Sequence, residues 1–96
     1  MDKGQILDLL NTHKPEPGRR FDVCGLGLFG STARGEATGK SDIDILVRFD
    51  GPATSARYFG LQFYLEDLLG RPVDLVTDKA LRPELRPYVE CEAIHV

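Results

Sequence analysis

Apolar positions in this chain follow two different spacings, and these spacings predict where helices and strands lie. Helical spacing occurs twice, over about residues 3–13 and 55–69, where apolar side chains return every three or four positions. Asp2 is placed to cap the first of these helices, and Thr54 or Ser55 is placed to cap the second. Both stretches are therefore predicted to be helices that pack through an apolar stripe.

Short continuous apolar runs predict the strands. They cover residues 21–29, 42–49 and 73–77, and residues 93–96 can add a last edge strand. Lys14–Arg20, with two prolines and a glycine, is the one candidate linker. The order of helices and strands predicts an α+β fold, in which a small mixed β-sheet carries helices packed on one face.

Length and composition narrow the possible functions. With 96 residues the chain has room for one core, so residues 1–96 are predicted to form a single domain. No apolar run approaches the ~20 residues of a membrane-spanning helix, which argues against a membrane role. The N-terminus lacks the pattern of a secretory signal, so a cytoplasmic location is expected, with Cys24 and Cys91 as reduced, buried thiols. The net charge of −3 leaves no basic excess to hold a nucleic-acid backbone, and no direct nucleic-acid binding is expected.

Asp42-Ile43-Asp44 opens the second apolar run and places two carboxylates at alternate positions of a strand. Because strand side chains repeat every two residues, both carboxylates are expected on the same face. Such neighbours repel each other unless cations lie between them, and two divalent ions ~3.5–4 Å apart are a common reason for the arrangement. The pair therefore indicates a metal site, with a solvated strand end as the alternative.

Asp74 lies inside the apolar run Val73–Val76, where an unpaired charge would be poorly solvated. If this strand neighbours the Asp42 strand, Asp74 joins the carboxylate pair. It could then be a third metal ligand or the base that takes a proton from an attacking hydroxyl. The alternative is an edge aspartate that points into water.

Gly30-Ser31 stands where a predicted strand ends and a helical turn begins. Free backbone N–H groups at such a junction can bind phosphate, glycine permits a close approach, and Ser31 adds a hydroxyl donor. Arg34 and Lys40, in the loop that follows, could neutralise phosphate oxygens. The alternative is an ordinary turn followed by two solvated cations.

Together these residues form a recognisable pattern. Gly30-Ser31 is followed by ten residues, then by Asp42-Ile43-Asp44, with Asp74 on a later strand. The stretch GSTARGEATGKSDIDILV resembles the full signature of the DNA polymerase β-like nucleotidyltransferases, and the chain length resembles the minimal nucleotidyltransferase (MNT) group, often the antitoxin of HEPN–MNT toxin–antitoxin pairs. The resemblance covers nearly the whole chain and implies the palm fold of that superfamily.

The resemblance also implies a reaction and a set of site residues. The expected cofactor is Mg²⁺, as two ions, and the expected substrate is ATP. AMP would pass to a protein hydroxyl, that of a tyrosine on a HEPN ribonuclease toxin, and this modification would silence the toxin. The matching positions are the metal ligands Asp42, Asp44 and Asp74, the last of which is alternatively the general base, and the nucleotide contacts Gly30, Ser31 and Arg34.

Two other functions stay open at this point. A non-catalytic antitoxin would neutralise its toxin by binding alone, although the three intact aspartates argue against an idle site. A small-molecule nucleotidyltransferase is the other alternative, and it is weakened because such relatives normally carry a second domain that forms the acceptor pocket.

The second predicted helix carries two aromatic residues away from its sheet-facing stripe. Helical spacing places Phe59 and Phe63 one turn apart, on the flank opposite Leu61 and Leu65. The first helix or the C-terminal segment could cover these rings. If neither does, they are expected to anchor a protein partner, because aromatic residues dominate binding hot spots.

Overall fold

A computed structural model of the chain describes residues 3–35 and 42–96. The elements in chain order are α1 (Lys3–His13), α2 (Pro15–Phe21), β1 (Val23–Phe29), α3 (Gly30–Ala33), β2 (Ile43–Phe49), α4 (Ser55–Leu69), β3 (Val73–Thr77), a 3-10 turn (Asp78–Ala80), α5 (Arg86–Glu92) and β4 (Ile94–His95). Among these helices, none is long and apolar enough to cross a membrane.

The four strands form one mixed sheet, in the order β3-β2-β1-β4. β1 lies antiparallel to both β2 and β4, whereas β2 and β3 are parallel. The parallel pair needs a crossover connection, and α4 supplies it. The α+β class and the mixed sheet predicted from the sequence are confirmed.

The hydrophobic core lies on one face of this sheet. Alternate residues of the strands pack there against the apolar stripes of α1 and α4, as strand geometry requires. The buried cluster consists of Ile6, Leu10, Leu26, Leu28, Ala33, Ile43, Ile45, Val47, Phe49, Leu61, Leu65, Leu69, Val73 and Leu75. The intervening positions of β2 and β3 therefore face the other side of the sheet.

The boundaries of the two long helices agree with the sequence prediction. α4 begins after Thr54, whose hydroxyl accepts a hydrogen bond from the backbone N–H of Arg57 at 3.3 Å. It ends at Gly70, which adopts the left-handed conformation that favours glycine. α1 also has its predicted bounds, while its expected cap, Asp2, lies outside the described residues.

The predicted linker is a helix. Pro15 and Pro17 occupy the first turn of α2, where a backbone N–H has no partner within the helix and proline is therefore tolerated. Asp22, with a φ of 56°, ends α2 in the left-handed conformation. The first strand consequently begins at Val23 and not at Phe21.

Both cysteines are free, as expected, but neither is buried. Cys24 lies on β1, and β4 pairs only with Gly27 and Leu28 of that strand. Cys24 falls at the irregularity between Val23 and Gly25 in the pairing of β1 with β2, and its side chain is exposed. Cys91 lies on α5, which contributes no buried residue. The expectation of two buried thiols was wrong, because neither element is covered where its cysteine lies.

The two aromatic residues on the outer flank of α4 are exposed. Phe59 retains 51% of its accessible surface and Phe63 retains 66%. Neither α1 nor the C-terminal segment covers them, so the intramolecular alternative is wrong. Leu61 and Leu65, on the opposite flank, are almost completely buried in the core.

Candidate active site

Asp44 and Asp74 are direct neighbours across the parallel strands β2 and β3, where the register pairs Asp44 with Asp74. Ile43 and Ile45, on either side of Asp44, are fully buried in the core, so Asp44 points to the opposite face of the sheet. The same alternation, with Val73 and Leu75 buried, places Asp74 on that face. The two strands are thus neighbours, which is the condition under which Asp74 joins the carboxylate pair.

Asp74 is exposed, not buried as its apolar strand suggested. β3 is an edge strand of the sheet. The helices α1 and α4 pack on the face of the sheet that holds Val73 and Leu75. An apolar run can therefore carry a charge on its open face, where water solvates the carboxylate. Asp42, one residue before β2, is also exposed, and only Asp44 is partly buried.

The surroundings of Asp44 shift the pKa of its carboxyl group. Burial raises the pKa of Asp44, and the charge of Asp74, a side-chain hydrogen bond with Asp74 and the charge of Asp42 raise it further. The positive charge of Arg34 acts in the opposite direction on this pKa. The charges of Asp74 and Asp42 thus both act on Asp44, and a proton or a cation near Asp44 would be bound favourably.

Gly30 lies against this group because the end of β1 pairs with the start of β2, with Phe29 opposite Asp44. Gly30 has a φ of 72°, and a Cβ at this residue would lie 2.1 Å from Oδ2 of Asp44. Glycine is therefore required twice, by the left-handed backbone and by the carboxylate. α3, the single helical turn expected after β1, begins at this residue.

Arg34 follows α3 and forms an ion pair with a residue that the sequence did not single out. Its guanidinium donates to Oε1 of Glu92, the last residue of α5. The other oxygen of this carboxylate, Oε2, accepts from the backbone N–H of Gly30 at 3.3 Å. Glu92 therefore contacts two of the residues that the sequence predicts to bind nucleotide.

The surroundings of Glu92 lower the pKa of its carboxyl group. Its hydrogen bond with Arg34 lowers its pKa most, burial opposes this, and the backbone N–H of Gly30 and the charge of Arg34 add to the lowering. No local pattern in the sequence links Glu92 to Gly30, because the two are 62 residues apart. Only the position of α5 in the fold brings them together.

The remaining predicted phosphate contacts are described only in part. The backbone of Ser31 belongs to α3, directly after Gly30, while the position of its side chain is outside what the structure describes. Lys40 lies in the stretch 36–41, outside the described residues. The predicted nucleotide contacts that the structure does bring together are Gly30 and Arg34.

The donor set is suited to a hard divalent cation, although it is not a preformed metal cage. Within 3–35 and 42–96, which include all three aspartates, no group of three or more His, Cys, Asp or Glu side chains is arranged to hold a metal ion. Asp44 and Asp74 nevertheless contact each other through their carboxylates, and Asp42 adds a third negative charge. Carboxylate oxygens are the ligands that Mg²⁺ prefers, and a cation would relieve the repulsion within this group.

Comparison with known proteins gives a consistent result. Residues 10–95 match the nucleotidyltransferase domain family. Protein adenylyltransferase MntA of Thermococcus cleftensis is 41% identical over 92 residues, covering 96% of this chain and 93% of that protein. A solved structure described as a minimal nucleotidyltransferase has a TM-score of 0.85 at 37% identity, covering 98% of this chain and 95% of the other. A crystal structure of a toxin–antitoxin with AMP-PNP has a TM-score of 0.69 at 25% identity, covering 99% of this chain and 72% of the other.

Proposed function

This chain belongs to the nucleotidyltransferase domain family, and from that membership we propose that it transfers AMP from ATP to a protein hydroxyl, as an antitoxin. The observation that carries the proposal is the contact between Asp44 and Asp74 beside the glycine turn. It combines a carboxylate group suited to Mg²⁺ with backbone and guanidinium donors suited to a triphosphate.

The site residues have distinct roles in the proposed reaction. Asp42 and Asp44 would hold two Mg²⁺ ions, with Asp74 as a third ligand or, alternatively, as the general base. The positive charge of the ions would stabilise the negative charge of the reacting phosphates. The Gly30 turn and Arg34 would orient the triphosphate next to these carboxylates. The open face of the sheet leaves Asp42 and Asp74 accessible to an acceptor from solvent.

The bond changes of the proposed transfer are those of a single displacement. The acceptor hydroxyl oxygen forms a bond to the α-phosphorus of ATP, and the bond from this phosphorus to the oxygen that bridges to the β-phosphate breaks. Pyrophosphate leaves with that oxygen. The hydroxyl proton passes to a carboxylate, for which Asp74 is the candidate because it is the more exposed member of the contacting pair.

The proposed acceptor is a tyrosine of a HEPN ribonuclease toxin, and the proposed location is the cytoplasm. Three findings support AMP transfer by an antitoxin: the signature motif, the similarity to a relative named as a protein adenylyltransferase, and the similarity to a toxin–antitoxin structure with an ATP analogue. The HEPN class of the toxin and its tyrosine rest on the resemblance to the MNT group. Modification of the toxin would be the biological output. ATP is proposed as the nucleotide on the same grounds.

Substitution of the aspartates tests the proposal. The purified full chain is incubated with Mg²⁺, α-³²P-ATP and the HEPN protein encoded beside it. We expect Asp42→Asn, Asp44→Asn and Asp74→Asn each to reduce label transfer by roughly a hundredfold or more, because each removes charge from the metal site. Asp78→Asn is the matched control, since Asp78 follows β3 directly and pairs with Arg48 at 3.4 Å.

Two outcomes would contradict the proposal. Undiminished transfer by the Asp44 and Asp74 variants would exclude these carboxylates from the chemistry. Full protection of cells from the toxin by the same variants, in the absence of any label transfer, would show that the antitoxin works by binding alone.

A further inference from the structure

Glu92 bridges the two described groups to which the proposed function assigns the triphosphate. Its carboxylate accepts from the backbone N–H of Gly30 through one oxygen and from the guanidinium of Arg34 through the other. An acidic side chain at a phosphate site is unfavourable in isolation, because both are anions. It either competes with the nucleotide or serves another purpose.

The attachment of α5 to the sheet argues against competition. Two residues after Glu92, Ile94 pairs with Leu28 of β1, and the backbone N–H of Val96 donates to the carbonyl of Leu26 at 3.1 Å. The same strand, β1, leads directly into Gly30. The pairing between β4 and β1 therefore holds the backbone of Glu92 close to Gly30.

The geometry of the Arg34 guanidinium also argues against competition between Glu92 and the nucleotide. A guanidinium carries five N–H donors in a planar fork, so one arginine can bind more than one anion. Arg34 also acts electrostatically on Asp44. Without Glu92, Arg34 would have one carboxylate fewer to hold it away from Asp44, and an arginine bound to Asp44 would compete with Mg²⁺.

We propose that Glu92 is a positioning residue, which holds Arg34 and the Gly30 turn ready for the triphosphate and keeps Arg34 away from the metal-binding carboxylates. The proposal rests on the proposed function. It assigns α5 and β4, which carry none of the signature residues, an indirect part in nucleotide binding.

The test measures nucleotide binding apart from transfer. Calorimetry gives the Kd for AMP-PNP over a series of Mg²⁺ concentrations, using the full chain and Glu92→Gln. We expect the Kd of the variant to rise about tenfold, the effect of weakening one charge-assisted hydrogen-bond network, and more Mg²⁺ to be needed for half-saturation. Glu90→Gln is the matched control, because Glu90 lies on the same helix and pairs with Arg86 at 3.8 Å.

A second pair of variants separates positioning from stability. In an Arg34→Ala background, Glu92→Gln should have a much smaller effect on the Kd, because only its hydrogen bond with Gly30 is then left to lose. Glu92→Asp, which is too short to reach both partners, should give a higher Kd than the full chain even if Glu92→Gln is poorly folded.

The outcomes distinguish this inference from the proposed function. A lower Kd in Glu92→Gln would show that the carboxylate competes with phosphate, and an unchanged Kd with a lower melting temperature would show a purely structural role. Either result overturns the positioning role while the proposed function stands. Absence of AMP-PNP binding by the unchanged chain would overturn both.

Discussion

Gly30 lies directly against Asp44, so closely that a Cβ on residue 30 would stand 2.1 Å from Oδ2 of that aspartate. The contact joins the glycine turn to the carboxylate group, two parts of the site that lie on different strands. It arises because β1 and β2 are antiparallel neighbours, which brings the end of one strand to the start of the other. The turn and the carboxylates are therefore one site.

Gly30→Ala should disrupt this site more than its backbone strain alone would explain. The left-handed conformation of residue 30 costs an L-residue roughly 1–2 kcal/mol, and the added methyl group must also displace the carboxylate of Asp44. We expect a lower melting temperature and a large loss of AMP transfer. Thermal unfolding and the label-transfer assay measure the two effects.

Gly35→Ala is the matched control for this substitution. Gly35 has a similar φ of 76°, but a Cβ there would meet nothing within 4 Å. Gly35→Ala should therefore introduce the backbone strain of a left-handed L-residue without a steric clash between its methyl group and a carboxylate. If both variants lose the same activity, the contact with Asp44 has no part in the reaction.

Asp44→Asn should stabilise the fold at neutral pH in the absence of divalent metal. Because the pKa of Asp44 is raised in the folded state, the folded chain binds more protons than the unfolded chain as pH rises past the ordinary Asp value. The stability therefore falls as pH rises through the raised pKa, and asparagine removes this loss. Chemical denaturation from pH 3 to 8 measures the difference, which should vanish below the ordinary pKa of about 3.9.

Added Mg²⁺ gives this prediction a second readout. The ion should raise the melting temperature of the unchanged chain, because binding to the folded state stabilises it, and should affect Asp44→Asn much less. Asp8→Asn, on the exposed side of α1, is the control. A stability difference that is equal at every pH would contradict the electrostatic explanation.

Phe59→Ser/Phe63→Ser should leave the folded chain nearly as stable as before, because both rings are more than half exposed. Leu61→Ala, on the buried flank of the same helix, should cost about 2–5 kcal/mol through lost burial and a cavity. Chemical denaturation compares the free energies of unfolding. A large destabilisation by the double substitution would place the two rings in the core.

The same double substitution tests the expected partner surface. The protein partner of the proposed function is a HEPN toxin, and two exposed aromatic rings one helical turn apart are typical of a binding anchor. We expect the variant to lose co-purification with the co-expressed HEPN protein, while Leu85→Ser, at another exposed apolar position, retains it. Retention by both variants would place the interface elsewhere on the molecule.

The sequence by itself determined the features that depend on neighbours along the chain. The period of apolar residues predicted α4 and its buried flank, Thr54 or Ser55 marked its start, and the alternation around Asp44 predicted a carboxylate on a strand. Each follows from local backbone geometry, which a short window of sequence specifies. The helix at Pro15 was missed because two prolines suggest a linker unless they lie in the first turn.

Only the tertiary structure decided which distant residues meet. The parallel register places Asp74 beside Asp44, and the edge position of β3 leaves Asp74 exposed although its run is apolar. The pairing of β4 with β1 brings Glu92 to Gly30 across 62 residues. Strand order and register depend on how whole elements pack against one core, and no local pattern around Glu92 or Asp74 records that packing.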